Sequence, residues 1–328
     1  MIIDTTPHSQ RVVVTGASGF VGSSVVDALA ADQRYTPVSV VRSTTQTKKV
    51  HLDSFIISDL TSSTDWSAGL KDASIVVHAA ARVHVMKEVA ADALAEFRKV
   101  NVEGTVNLAR QAAQAGIKRF IFISSIKVNG ESTTIGHPYT ADDAPAPSDP
   151  YGVSKKEAEE ALRQVSLETG MEVVIIRPTL IYGPGVKANF RNMMGWLEKG
   201  IPLPFGAIHN KRSLVSLENL VSLILVCLEH PEAAGETFLV SDGVDLSTTE
   251  LLEKTAKALK VKSRLIPIPE RFLTFCAVAL GRRALSQRLC GSLQVDIGKT
   301  RRLLEWNPPV SVEDALDRTA KEFLECRK

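Results

Sequence analysis

Tyr151 and Lys155 are the two side chains whose types and spacing most directly suggest acid–base chemistry. They stand in Pro150-Tyr151-Gly152-Val153-Ser154-Lys155, where a proline-rich loop gives way to a helical pattern. At i and i+4 on a helix, a phenol and an ammonium share one face. A nearby cation favours phenolate and lowers a tyrosine pKa that is about 10 in water. Such a phenol can exchange a proton with an alcohol or sugar oxygen. Taken alone the spacing is weak, because helix surfaces produce a tyrosine beside a solvated lysine by chance. Its meaning rests on what the upstream segments bring to it.

Arg11 to Thr15 is a β-branched run that reads as a buried strand. Gly16-Ala17-Ser18-Gly19-Phe20-Val21-Gly22 follows at once, and then a helical pattern. The spacing G-x-x-G-x-x-G turns the backbone tightly and presents amide groups and a helix N-terminus to a pyrophosphate, while the last glycine lets helix and strand pack closely. Gly16, Ser18, Gly19, Phe20, Val21 and Gly22 therefore read as a dinucleotide loop. The next strand, Thr36 to Val41, ends in Arg42 and Ser43, where a carboxylate would normally bind the ribose hydroxyls of NAD. A cation there, with Lys48 or Lys49 nearby, suits a 2′-phosphate, so NADP(H) is expected ahead of NAD(H). An ordinary exposed loop arginine is the alternative.

Phe55 to Ile57 reads as a third strand, followed by Asp59, which can accept from an adenine amino group, and Leu60. Ile75 to Val77 is a fourth and runs into His78, Ala79, Ala80 and Ala81, small enough for a cofactor to lie against the backbone. A helix from about Ala90 carries Asn101, Gly104 and Thr105. Strand Phe120 to Ile123 then delivers Ser124 and Ser125. Strands alternating with helices imply an α/β fold with a doubly wound parallel sheet, whose ligands gather at the carboxyl ends of the strands.

In this order and at these separations, the motifs resemble the extended short-chain dehydrogenase/reductase family, in its nucleotide-sugar branch of epimerases, dehydratases and ketoreductases (UDP-glucose 4-epimerase-like). The resemblance covers essentially the whole chain. It implies a Rossmann-type domain over residues 1–178, with a returning segment at about 213–240, and a smaller C-terminal substrate-binding lobe over 179–212 and 241–328. It assigns Ser125, Tyr151 and Lys155 as the catalytic triad. Asn101 is a buttress of the central sheet, and Pro178 passes near the nicotinamide. Asn189 falls where relatives contact the diphosphate or ribose of a UDP-sugar and Arg212 where they bind its diphosphate, and His84 and Lys127 either touch the sugar or are solvated. Met193, Met194 and Trp196 read as helix packing or as a wall beside the uracil.

Asn129 departs from the family, which usually has tyrosine there. Ile126 and Lys127 replace the Asp-Glu pair of dehydratases and so argue against that reaction. Arg42 tilts the expectation toward NADPH-dependent reduction of a UDP-linked 4-keto-6-deoxy amino sugar for surface polysaccharide. A 4-epimerase is the alternative, and a non-catalytic cofactor sensor is more remote. Family members pair helices equivalent to Ala90–Gln114 and Tyr151–Thr169 across a two-fold axis, so a homodimer is expected.

Composition narrows the remaining classes. With 328 residues, 44% hydrophobic and 23% charged, the chain can bury a large core, and a formal charge of +2 gives no basic excess that would suggest nucleic acid. Cys227, Cys276, Cys290 and Cys326 contain no CxxC pair, which favours a reducing cytoplasm, and no histidine spacing suggests a metal. Met1 to Gln10 does not read as a signal peptide. The apolar run Phe272 to Leu280 is far shorter than the roughly 20 residues of a membrane span, and reads as a core or interfacial helix, with membrane contact the minor alternative.

Overall fold

The computed structural model describes residues 9–42, 53–83, 92–279, 281, 287 and 289–326. The chain divides into two compact units. One comprises Met1–Gly130, Ala144–Arg177 and Leu223–Phe238; the other comprises Glu131–Asp143, Pro178–Ser222 and Leu239–Lys328.

In the first unit, β1 (Gln10–Thr15), β2 (Tyr35–Val41), β3 (Ser54–Ile56), β4 (Ala73–His78), β5 (Arg119–Ile123) and β6 (Glu172–Pro178) belong to a seven-stranded sheet. Its order is β3-β2-β1-β4-β5-β6, closed by Thr237–Val240, and the pairings from β3 through β6 are parallel. Parallel strands are buried on both faces, which is why they read as continuous Val/Ile/Phe runs rather than alternating ones. Val13, Val38, Val76, Phe120, Phe122 and Ile175 form one core with Leu108, Leu162 and Val165 from the helices. Each such side chain contributes about 1.5–3 kcal/mol on burial.

Register decides where the site lies. Thr15 pairs with His78, His78 with Phe122, and Ile123 with Ile176. Gly16, Ala79 and Ser124 therefore leave the sheet at one shared carboxyl edge.

Helix α1 (Phe20–Ala31) follows the glycine loop. The helix expected from about Ala90 begins instead at Ala93, capped by the Asp92 carboxylate on the Ala95 amide (3.0 Å). It passes through a π-helical turn, Lys99–Gly104, before resuming as Thr105–Gln114. The helix bearing Tyr151 and Lys155, Pro150–Thr169, has strong local signals. Asp149 accepts from the Gly152 amide at 2.6 Å, proline occupies its first turn, and Gly170 ends it at φ 73°.

The second unit holds a three-stranded sheet of Leu180–Tyr182, Arg212–Ser216 and Asp245–Leu246, with Arg212–Ser216 in the middle. The Tyr182 hydroxyl donates to Asp242 at 2.8 Å, and Asn219 donates to the same carboxylate at 2.7 Å. The late apolar run forms helix Glu270–Ala279, none of whose residues is buried. Among the described residues, no helix is long and apolar enough to cross a membrane.

Candidate active site

The glycine loop is shaped for close approach. Gly16 has φ +69°, and a Cβ on Gly22 would lie 2.2 Å from the Gly16 carbonyl, so side chains are excluded where β1 turns into α1. The Gly19 N-cap makes no side-chain hydrogen bond, so the first-turn amides of α1 are not capped by that residue. This cradle fits a dinucleotide pyrophosphate. Ser18 and Gly19 are exposed, while Phe20 and Val21 are half-buried. Beside the loop, the Ala80 amide donates to Thr15 Oγ1 at 3.2 Å, which holds the Ala79-Ala80-Ala81 turn against the end of β1. Asp59 is exposed, its carboxylate accepting from the Leu60 amide at 2.8 Å, and Leu60 is buried.

Asn101 ties two parts of this edge together. Its amide group exchanges hydrogen bonds with the Arg82 backbone at 2.8 and 3.0 Å, and donates to Ser154 Oγ at 3.0 Å. The chain beyond β4 is thereby fastened to the helix that carries Tyr151. The Tyr151 ring meets Phe97 edge-on, with centroids 6.0 Å apart.

Lys155 is almost wholly buried; its Nζ donates to the Ile123 carbonyl at 2.7 Å and lies 3.9 Å from the centroid of the Phe122 ring. Burial pulls this amine down to about 7, with the Glu159 carboxylate opposing. Burial, helped by Asp149, pushes the Tyr151 phenol up to about 12. The i,i+4 spacing led us to expect a lowered phenol, and the structure shows a raised one. The ammonium faces a backbone carbonyl and an aromatic ring, so desolvation governs the phenol. Ser125, half-buried at the end of β5, accepts from the Lys127 amide at 3.3 Å. Lys127 forms an ion pair with Asp149, the residue that caps the Tyr151 helix.

Behind these residues lies a buried network that local sequence patterns do not reveal. Arg177 makes two hydrogen bonds to Glu159, at 2.9 and 2.6 Å, and a third to Asn129 Oδ1 at 2.9 Å. Ser124 Oγ donates to Glu159 at 2.6 Å. Glu159, Asn129 and Arg177 are at most 1% exposed. The departure at Asn129 is thus a buried acceptor for a buried guanidinium. Glu159 stands one helical turn beyond Lys155, the one signal that was available in sequence.

His78 fills the space between β1 and Thr105. Its Nδ1 lies 2.6 Å from Thr15 Oγ1 and its Nε2 2.9 Å from Thr105 Oγ1. Burial and then the Lys155 charge depress it to about 3. Below about pH 6.5 an unfolded chain takes up a proton here that the folded chain refuses, so this stability is complete above that pH and falls as pH drops toward 3. Between pH 6.5 and 5 the loss should be about 2 kcal/mol. Urea unfolding of the unmodified chain and His78→Asn at both pH values checks this. Equal pH slopes in the two proteins would remove His78 as the cause.

In the second unit, Pro178 is buried at the end of β6, and Asn189 is exposed in the first turn of helix Ala188–Glu198. The half-buried Arg212 donates to the Gly291 carbonyl at 2.8 Å, and burial lowers its pKa. Met194 is buried and Met193 half-buried, whereas Trp196 is 47% exposed. Ser43, Lys48, Lys49 and His84 lie outside the described residues.

Residues 12–241 match the NAD dependent epimerase/dehydratase family. The chain belongs to that family. Across 97% of its length it is 48% identical to a UDP-glucose 4-epimerase of Vibrio cholerae, covering 96% of that protein. Two solved structures share the fold. The UDP-glucuronic acid 4-epimerase of Bacillus cereus in complex with NAD superposes with TM-score 0.79 at 21% identity, covering 97% of this chain and 100% of the other. The Bordetella bronchiseptica enzyme WbmG in complex with NAD gives 0.76 at 19%, covering 98% and 96%. As a member of this family, the chain is an NAD(P)-dependent nucleotide-sugar oxidoreductase or epimerase.

These findings correct the expectation of NADP(H): both of the solved structures just described hold NAD. The physical reason is visible at Arg42. It is exposed in the bend that ends β2, and an exposed guanidinium at a strand end does not by itself select a 2′-phosphate.

Proposed function

We propose that this protein is a UDP-hexose 4-epimerase with bound NAD. The likeness to a UDP-glucose 4-epimerase over nearly the whole chain carries this reading. The preference for net reduction rested on Arg42 and falls with the NADP assignment.

When bound, NAD supplies a hydride acceptor and donor for sugar C4. The chain's own residues manage the proton and the position. Tyr151 exchanges the proton of the 4-hydroxyl, and Ser125 donates a hydrogen bond to the same oxygen. A phenol at about 12 is an acid at neutral pH and needs a cation to become a base. Lys155, poised at about 7, supplies that charge when it is protonated and turned from the Ile123 carbonyl toward the phenol. Asn101 keeps the helix of Tyr151 in register with the strand edge through Ser154. In the second unit, Asn189 and Arg212 hold the diphosphate.

Purified protein incubated with UDP-glucose and NAD should form UDP-galactose with no net change in nicotinamide absorbance. Net oxidation of added NADH or NADPH by a UDP-4-keto sugar, without interconversion of the two hexoses, would return the reading to a reductase.

A further inference from the structure

Six of the twelve exposed large apolar side chains among the described residues are Trp196, Ile201, Ile266, Phe272, Phe275 and Val278. Phe272, Phe275 and Val278 are 58%, 70% and 50% exposed and recur every three residues along helix Glu270–Ala279, so they share one side of it. Leu273, Thr274, Cys276 and Ala277 are only half-buried on the rest of the helix. The approach to this helix is well fixed. Ile266 donates to the Leu203 carbonyl at 2.8 Å and accepts from Gly206 at 3.0 Å, while Arg264 accepts from Leu203 at 2.9 Å. These bonds place the segment that follows helix Ala188–Glu198, and carries Ile201, beside the segment leading into the helix.

The surrounding charge is cationic. Lys199, Lys262, Arg264 and Arg271 are exposed, and residues 261–279 contain one carboxylate, Glu270. A second copy of this chain would bring like charges together if it docked on the same face. An anionic bilayer meets both features, because apolar rings enter the boundary between headgroups and acyl chains while lysine and arginine stay at the phosphates. Tryptophan and phenylalanine at that depth are typical of interfacial helices. The helix has 10 residues, about 15 Å of rise, half of the roughly 30 Å hydrocarbon core, so it lies on the surface and does not span.

We propose that the face formed by Phe272, Phe275 and Val278, with Arg264 and Arg271 at its margin, docks this protein on anionic lipid bilayers.

The test is sedimentation of the full chain with vesicles of phosphatidylglycerol mixed into phosphatidylcholine, and with phosphatidylcholine alone. Binding is expected with the anionic vesicles only, weakening as salt rises from about 0.1 M to about 1 M. Phe272→Ser/Phe275→Ser should lower the vesicle partition coefficient at least about tenfold, with circular dichroism and NAD binding unchanged. Arg264→Glu/Arg271→Glu, which leaves the rings in place, should abolish the preference for anionic vesicles. Failure of the unmodified chain to sediment with anionic vesicles would overturn the proposal. So would a Phe272→Ser/Phe275→Ser variant that binds as tightly as the unmodified chain. Light scattering that shows a dimer dissociated by that double substitution would also overturn it, assigning the face to a second copy.

Discussion

Tyr151→Phe is expected to lower turnover by about 10²–10⁴-fold while leaving the fold and NAD affinity close to unchanged. The phenylalanine ring keeps the edge-on contact with Phe97, and the Asp149 cap and the Asn101–Ser154 bond do not involve the lost hydroxyl. What disappears is the group that exchanges the proton of the sugar hydroxyl. Steady-state rates with saturating UDP-sugar, beside calorimetric titration of NAD, separate the two effects. Near-normal turnover would take Tyr151 out of the chemistry, whereas lost turnover with equally lost NAD binding would assign it a binding role.

The second large effect is on stability. Arg177→Met removes the cation that makes two hydrogen bonds to Glu159 and one to Asn129 in a fully buried setting. Breaking a buried pair from one side leaves the other charge without its counter-ion and typically costs about 3–5 kcal/mol. The half-exposed Arg163, 3.3 Å from Glu159, offsets part of that cost. Adding Glu159→Met to Arg177→Met should recover part of the loss, because the stranded carboxylate goes with it. Urea unfolding of both single variants and the double variant measures this coupling. A loss below about 1 kcal/mol in Arg177→Met would show that the pair does not hold the end of β5.

Local patterns carried most of the Rossmann half. The β1 run, the three glycines and the Pro150 helix each announce themselves within a few residues, because strand periodicity, tight turns and caps are local physics. The Arg177–Glu159–Asn129–Ser124 network was not legible, since Arg177 and Asn129 are 48 residues apart and meet only once β5, β6 and the helix of Glu159 are assembled. The π-helical turn at Lys99–Gly104 is not legible in the sequence, because a shift in hydrogen-bond register leaves no clear mark in residue type. Spacing placed Tyr151 and Lys155 on one helix but did not show where the ammonium points. Its bond to Ile123 is a tertiary fact, and it reverses the expected sign of the phenol shift. Arg42 misled for a different reason: one exposed cation at a strand end serves as solvated surface or as phosphate ligand, and residue type is the same in both.

The most direct measurement is the fate of the hydrogen on sugar C4. UDP-glucose deuterated at C4 is incubated with the purified protein in ordinary water under conditions where calorimetry shows NAD bound, and the products are read by NMR. Oxidation and re-reduction of one carbon within one site predicts UDP-galactose that retains deuterium at C4. UDP-galactose carrying ordinary hydrogen at C4, or no galactose-configured product at all, would contradict a 4-epimerase.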